Sequence, residues 1–194
     1  MSQGDRTLLV DADVFITFAE IGATDLLRTM AGALWMPIPV DQEIVGRPAA
    51  TVLESAVDAG WLQIAAPPPD QYVQYAAMHL GRDVDRVTYN GDILLLAHAL
   101  ALPNVVVITD DRPLRKCCRT LSIPVAGSLA VLIRAAERGD TDPARATAIL
   151  LSMDEVGPRL SASVLRRAEQ LIAETTATVP SDESAPDDGV QNSK

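Results

Sequence analysis

The sequence has few of the side chains that bind zinc. Its only two cysteines, Cys117 and Cys118, are adjacent, and its only two histidines, His79 and His98, each lack a partner at metal-ligand spacing. Adjacent cysteines pair poorly in a disulfide and cannot complete a zinc ligand set. We therefore expect no cysteine-based zinc site, histidines that are at the surface or partly buried rather than metal ligands, and a reducing, cytoplasmic location.

Long hydrophobic runs are also absent. No apolar run reaches the roughly 18 residues that a membrane-spanning helix needs, and the N-terminal MSQGDRTLLV lacks the charged and then apolar pattern of a signal peptide. Hydrophobic residues nevertheless make up 48% of the 194 residues, which is enough for one sizeable core. We expect one globular domain with an appendage and no association with a membrane.

Lysine is scarce, and acids outnumber bases. Only Lys116 and Lys194 occur among the 16 basic residues, and the formal net charge of −10 disfavours phosphate binding. The segment 179–194 (VPSDESAPDDGVQNSK) carries three of these negative charges, and its composition predicts a disordered acidic tail over 177–194. A local basic face is still expected where arginines gather, at Arg112, Arg115, Arg119, Arg134 and Arg138.

Apolar segments of strand length alternate with segments of helical composition. The strand segments are TLLVDA, WMPIPV, WLQIAA, NVVVIT and IPVAG, and the helical ones include ATDLLRTMAGAL and GDILLLAHALAL. GDILLLAHALAL is apolar nearly all round and is expected to be a core helix. This alternation predicts an α/β fold with three layers (α/β/α) and a central parallel sheet of about five strands. After Gly139 the pattern is helical only. The sequence thus predicts a domain over 1–139 and a helical C-terminal extension over 140–176.

Acidic residues recur where the predicted strands end. Asp11 and Asp13 follow the first strand, and Asp110 and Asp111 follow the fourth, while Asp92 opens the helix before that fourth strand. Each acid has a simpler interpretation by itself, since Asp92 can offset a helix dipole and one of the later pair can cap a helix. Ligands of open parallel sheets, however, bind beyond the carboxyl ends of the strands.

Several carboxylates at one edge of a sheet would require a cation. Two of them about 4 Å apart repel by about 4 kcal/mol at an effective dielectric constant near 20. Hard oxygen ligands without cysteine or paired histidine favour Mg²⁺ or Mn²⁺. Such an ion can activate water and neutralise a phosphodiester, so the pattern favours phosphoryl-ester hydrolysis.

The order of these motifs resembles the PIN domain family of Mg²⁺-dependent ribonucleases, which includes many toxins of toxin-antitoxin pairs. The resemblance rests on LLVDADVFI, IPVDQEIV, GDILLLAHALA, VVVITDDRPLRK and GSLAVL, and it extends from residue 7 to residue 174. Stand-alone prokaryotic PIN proteins with an Asp-Asp motif after the fourth strand are the most similar subgroup. The resemblance implies an endoribonuclease that hydrolyses RNA, with an antitoxin protein as a candidate partner and a homodimeric state.

The resemblance also implies the site residues. The catalytic acids would be Asp11, Glu43, Asp92, Asp110 and Asp111. All of these except Glu43 would be ligands of Mg²⁺ (or Mn²⁺), and Glu43 would help to position water. The family usually has Asn, Ser or Thr where this chain has Asp13. Beyond the resemblance, Arg112 and Arg115 directly follow the acids and are the candidates for RNA phosphate contact, although both could also be solvated surface residues.

Two other interpretations stay open at this point. VDADVFIT loosely resembles the start of haloacid-dehalogenase phosphatases, in which an Asp nucleophile precedes an Asp acid by two residues. That mechanism needs a lysine before the late acid pair, whereas Lys116 follows it. The other alternative is a PIN-like module that has lost catalysis and binds RNA or protein.

Overall fold

A computed structural model describes residues 6–30, 32–37, 44, 48–83, 90–157 and 159–176. Within these residues, five strands form one sheet in the order β3-β2-β1-β4-β5, and every neighbouring pair is parallel. The strands are β1 (Thr7–Val10), β2 (Ala33–Pro37), β3 (Leu62–Ala65), β4 (Val105–Ile108) and β5 (Val125–Ala126). The prediction of an α/β fold with a central parallel sheet is confirmed.

Nine helices accompany the strands in the described part of the chain. They are α1 (Ala12–Glu20), α2 (Thr24–Arg28), α3 (Ala49–Asp58), α4 (Asp70–His79), α5 (Gly91–Ala101), α6 (Arg112–Thr120), α7 (Ser128–Glu137), α8 (Pro143–Val156) and α9 (Ala162–Thr176). No helix within these ranges is both long enough and apolar enough to cross a bilayer.

The segment ATDLLRTMAGAL is only partly helical, which corrects the sequence-based expectation. Helix α2 has five residues, and β2 already begins at Ala33. Gly32 has a φ of +145°, and a Cβ atom there would collide with the carbonyl oxygen of Arg6. A positive φ is accessible mainly to glycine. Gly32 thus lets the chain turn so that β2 begins beside β1. The Ala33 amide donates a hydrogen bond to the Arg6 carbonyl.

The core lies on both faces of the sheet. Leu8, Leu9 and Val10 of β1 are buried, as is expected for a central parallel strand covered on both sides. Helix α5 is buried nearly all round, as its composition predicted, and it carries His98 into the core at 4% exposure. The expectation that each histidine is at the surface or partly buried is therefore wrong for His98, which is buried, and burial lowers the pKa of its imidazole.

The three C-terminal helices pack against one another, and α8 also packs on α1. Arg145 of α8 forms a two-pronged ion pair with Asp25 of α2, with both nitrogen-to-oxygen distances at 2.8 Å. The helices after residue 139 therefore contact the part of the chain that carries the sheet. The division at residue 139 stays a prediction, and the predicted tail over 177–194 lies outside the described residues.

Candidate metal and nucleic-acid site

Asp11 is held at the carboxyl edge of the sheet by the pairing of β1 with β4. Val10 lies opposite Ile108 in the parallel register, so the residues that follow each strand, Asp11 and Thr109, meet. The Asp11 amide donates to the Ile108 carbonyl at 3.0 Å, and the Thr109 hydroxyl donates to Oδ2 of Asp11 at 2.5 Å. Asp11 is 8% exposed. A buried carboxylate requires such partners, because burial alone disfavours its charge.

Thr109 connects Asp11 to the acid pair. Its side chain is fully buried, and its hydroxyl also accepts a hydrogen bond of 3.1 Å from the Asp111 amide. Sequence reasoning did not identify Thr109, although its place between an apolar strand and two acids was a usable signal. One hydroxyl therefore links the carboxylate after β1 to the backbone after β4.

Asp110 and Asp111 have different partners. Oδ1 of Asp111 accepts from the Leu114 amide at 2.6 Å, so this residue caps α6, as was predicted for one member of the pair. Oδ1 of Asp110 accepts from the Ser128 amide at 3.1 Å, at the start of α7, and lies 4.0 Å from Nη1 of Arg115. A Cβ atom at Gly127 would meet the ends of the Asp110 and Arg115 side chains, so a larger residue there would require both side chains to shift.

Asp92 lies in the first turn of α5, which Asn90 caps by accepting from the Ile93 amide at 3.0 Å. Burial raises the pKa of the Asp92 carboxyl above its usual value, and the charges of Asp111 and Asp13 raise it further. Arg82 opposes these effects. Asp92 is therefore close enough to Asp111 and Asp13 for repulsion between the carboxylates, which a bound cation would relieve.

The donor chemistry at this edge fits a hard divalent cation, because all the candidate ligands are carboxylate oxygens. Across the described ranges, no three histidine, cysteine or acidic side chains lie close enough together to hold a metal ion as they stand. Glu43, which the resemblance adds to the set, lies outside the described residues. Ligand type and the repulsion at Asp92 thus support the binding of a divalent cation at this edge.

Some of the acids line a groove, which is called the acidic groove below. This cavity of about 590 Å³ is lined by Asp13, Asp110, Asp111 and Arg112, among others, whereas Asp11 and Asp92 are not among its described lining residues. Arg112 is exposed, whereas the Arg115 side chain is 32% exposed and lies beside Asp110. Both arginines that were predicted to contact RNA phosphate therefore lie beside the acids. Arg112 is the more exposed of the two and is the more accessible to a phosphate.

Comparison with known proteins assigns the chain to a family. The PIN domain family model DUF3368 matches residues 7–174, so the chain belongs to the PIN domain family. Among solved structures, the chain is similar to a chain of VapBC2 from Rickettsia felis, a structure in which VapBC2 is bound to a DNA fragment from its promoter. The TM-score is 0.42 at 14% sequence identity, with 62% of this chain and 98% of that chain covered. No curated protein matches the chain at a significant level.

Proposed function

We propose that this protein is an endoribonuclease that hydrolyses RNA phosphodiesters with the help of Mg²⁺ or Mn²⁺. Membership of the PIN domain family supports nuclease chemistry in general. The observation that carries the proposal is the arrangement of the acids at the edge of the sheet. The Thr109 hydroxyl joins the Asp11 carboxylate to the Asp111 amide, and Asp92 lies close enough to Asp111 and Asp13 for their charges to raise its pKa beyond the effect of burial. Carboxylates brought together in this way are typical of a cation site that acts on phosphate groups.

The proposed ligands are Asp11, Asp92 and Asp111, with Glu43 completing the acidic set. A divalent ion bound there would supply activation of water and neutralisation of phosphodiester charge. The chain's own contribution is positional. Thr109 orients the Asp11 carboxylate, and the Leu114 amide holds one oxygen of Asp111 while the other stays available.

Asp110 and Arg112 take supporting roles in this proposal. Asp110 accepts from the Ser128 amide and lies beside Arg115, whereas the charge of Asp111 acts on Asp92. We therefore assign Asp110 mainly to positioning the start of α7 and only secondarily to the acidic field. The exposed Arg112 is the candidate for contact with an RNA phosphate beside the scissile bond. An antitoxin partner and a homodimer stay predictions of the family resemblance.

The phosphatase alternative loses support from the position of Lys116. This lysine lines a separate cavity with His79, Leu80 and Pro113, and the lining residues described there include no acid. A lysine that offsets charge at a phosphatase nucleophile would have to reach the carboxylates. We therefore do not propose phosphatase activity, and the cleavage test distinguishes it from nuclease activity.

The test is an RNA cleavage assay that separates the three alternatives. Purified protein should cut single-stranded RNA internally with Mg²⁺ or Mn²⁺, and EDTA should stop the reaction. The substrates must include total cellular RNA with tRNA, because a sequence-selective enzyme can leave a generic oligonucleotide intact. Asp92→Asn and Asp111→Asn should lose most of the activity while remaining folded by circular dichroism.

The other outcomes overturn the proposal in distinguishable ways. A phosphatase would hydrolyse a small phosphomonoester and leave RNA intact. A binding module would retain RNA on a filter without cutting it, whatever the metal. If the whole RNA panel stays intact with Mn²⁺ while the protein binds Mn²⁺ by calorimetry, the nuclease proposal fails.

A further inference from the structure

A second cavity adjoins the acidic groove. It has a volume of about 450 Å³ and lies between the start of α7, the end of α8 and the start of α9. This volume falls within the roughly 300–1,000 Å³ typical of small-molecule sites. The two cavities share four lining residues, Thr17, Asp110, Arg112 and Gly157. A ligand could therefore extend from one into the other without leaving the protein surface.

The second cavity has an apolar part and a cationic part. Its apolar walls include Leu129, Ile133, Met153, Leu160 and Val164. Its lining also includes the arginines at positions 112, 115 and 159, of which Arg112 lines the acidic groove as well and Arg115 lies beside Asp110. Asp110 is the only acid among the described lining residues, and its Oδ1 atom already accepts from the Ser128 amide beside Arg115.

We propose that this cavity binds a nucleobase of the RNA strand, on a nucleotide next to the phosphodiester that is cut. The inference rests on the proposed nuclease function and adds a substrate subsite to it. The base would lie among the aliphatic side chains of α7, α8 and α9, and the attached phosphate would meet Arg112 and Arg159. Bases can stack on arginine and pack against apolar side chains, so the absence of an aromatic among the described lining residues is no obstacle.

RNA fits this cavity better than an apolar side chain of a partner protein does. An apolar side chain would need only the aliphatic walls, and it would leave the charges of Arg112 and Arg159 without a complement. A nucleotide matches both parts, because it joins an apolar ring to an anionic phosphate. The second cavity also shares lining residues with the acidic groove, which Asp111 lines, so a strand with its scissile phosphate at Asp111 would extend its next nucleotide toward the second cavity. A base can enter only when it is unpaired, so the subsite selects single-stranded RNA.

The test uses two separate changes, a bulky side chain that fills the second cavity of the protein and the removal of one base from the RNA. Val164 is 40% exposed at the cavity, and Val57 is 37% exposed on α3, where it is not among the described lining residues of either cavity. Val164→Trp is therefore the test variant and Val57→Trp its matched control. Fluorescence anisotropy measures the binding of labelled single-stranded octanucleotides with Mg²⁺, in an Asp92→Asn background that prevents cutting. A set of octanucleotides carries one abasic ribose at each successive position.

We expect Val164→Trp to weaken binding by about tenfold or more, the usual effect of losing one stacked base, and Val57→Trp to leave binding unchanged. One abasic position should weaken binding to the parent by a similar factor, yet it should not weaken binding to Val164→Trp any further. If Val164→Trp does not fold by circular dichroism, Ala130→Phe at the same cavity takes its place, since Ala130 is exposed.

Two results would overturn the subsite alone. In one, the cavity variant binds and, with Asp92 restored, cuts RNA as well as the control does, which leaves the cavity to a protein side chain. In the other, the abasic position weakens binding to Val164→Trp by the same factor as it weakens binding to the parent. The base would then bind outside the second cavity. If the parent neither binds nor cuts any RNA, the subsite and the nuclease proposal fail together.

Discussion

The hydroxyl of Thr109 donates a hydrogen bond of 2.5 Å to the carboxylate of Asp11, across 98 positions of sequence. The same hydroxyl accepts from the Asp111 amide, so it sets the position of one acid relative to the other. The contact exists because β1 and β4 are neighbours in the sheet and end at the same level. On the proposed function, this single hydroxyl positions two of the ligands.

Replacement of Thr109 should therefore affect both stability and activity. Thr109→Val keeps the shape but removes the hydroxyl, so the Asp111 amide loses its acceptor and buried Asp11 loses a donor. We expect the free energy of unfolding to fall by about 1–3 kcal/mol and RNA cleavage to fall with it, while Thr109→Ser keeps most of both. Urea unfolding and kcat/KM measure the two effects. A valine variant with the stability and activity of the parent would show that the Thr109 hydroxyl does not position Asp11 and Asp111.

The repulsion at Asp92 predicts a stabilising substitution. Because burial and the charges of Asp111 and Asp13 disfavour ionised Asp92, Asp92→Asn should raise the Tm at pH 7 in EDTA. Mg²⁺ should then raise the Tm of the parent more than that of the variant, since the ion stabilises the charged form. Differential scanning fluorimetry gives both values. A variant that melts below the parent in EDTA would show that the carboxylates do not strain the fold.

The two adjacent aspartates should separate in their effects. Asp111→Asn can still cap α6 through its amide oxygen, so we expect stability to change little and cleavage to fall by at least about a hundredfold. Asp110→Asn can likewise accept from the Ser128 amide, and we expect it to keep most of the activity. Cleavage rates with unfolding curves for both variants provide the comparison. Greater loss of activity from Asp110→Asn would exchange the roles of the two residues.

The ion pair between Arg145 and Asp25 predicts a pH dependence of stability. The hydrogen bond from Arg145 lowers the pKa of the Asp25 carboxyl below its usual value of 3.8. A lowered pKa stabilises the fold above pH 3.8, and this contribution is lost as the pH falls through the lowered value. The side chains are 40% and 50% exposed, so Arg145→Gln should cost only about 0.2–1 kcal/mol at pH 7.

Urea unfolding at several pH values tests this ion pair. The difference between Arg145→Gln and the parent should shrink once acid protonates Asp25. Arg134→Gln is the control, because Arg134 is exposed and its pair with Glu137 lies within α7 at 3.9 Å. A difference that is the same in acid as at pH 7 would mean that Arg145 acts through packing rather than through charge.

The order of strands and acids was readable from the sequence because it depends on local patterns. Apolar runs that end in Asp11 and Asp110 predicted the sheet and its acidic edge, and the composition of α5 predicted a core helix. The place of Thr109 before two acids was visible in the sequence, but the contact of its hydroxyl with Asp11 was not, since that contact depends on the register between two strands far apart in sequence. The different partners of Asp110 and Asp111 likewise follow from where α6 and α7 begin in space.

Other features also required the three-dimensional arrangement. The boundary between α2 and β2 is set by Gly32, whose close approach to Arg6 is a contact between segments. The apolar cavity is formed by three helices, and no one of their sequences indicates it. Glu43 rests on the family resemblance alone, because it lies outside the described residues.

The dependence of single-turnover RNA cleavage on Mn²⁺ concentration tests the central claim most directly, since it links the acids, the metal and the reaction. An RNA that the parent cuts is incubated with excess protein, and the rate is followed as Mn²⁺ is added back after EDTA treatment. We expect no cutting without metal and a cleavage rate that rises to saturation with Mn²⁺ for the parent. For Asp11→Asn, the rise in rate should need far more Mn²⁺ or should not occur. Cutting in EDTA, or the same Mn²⁺ dependence in Asp11→Asn as in the parent, would contradict the central claim.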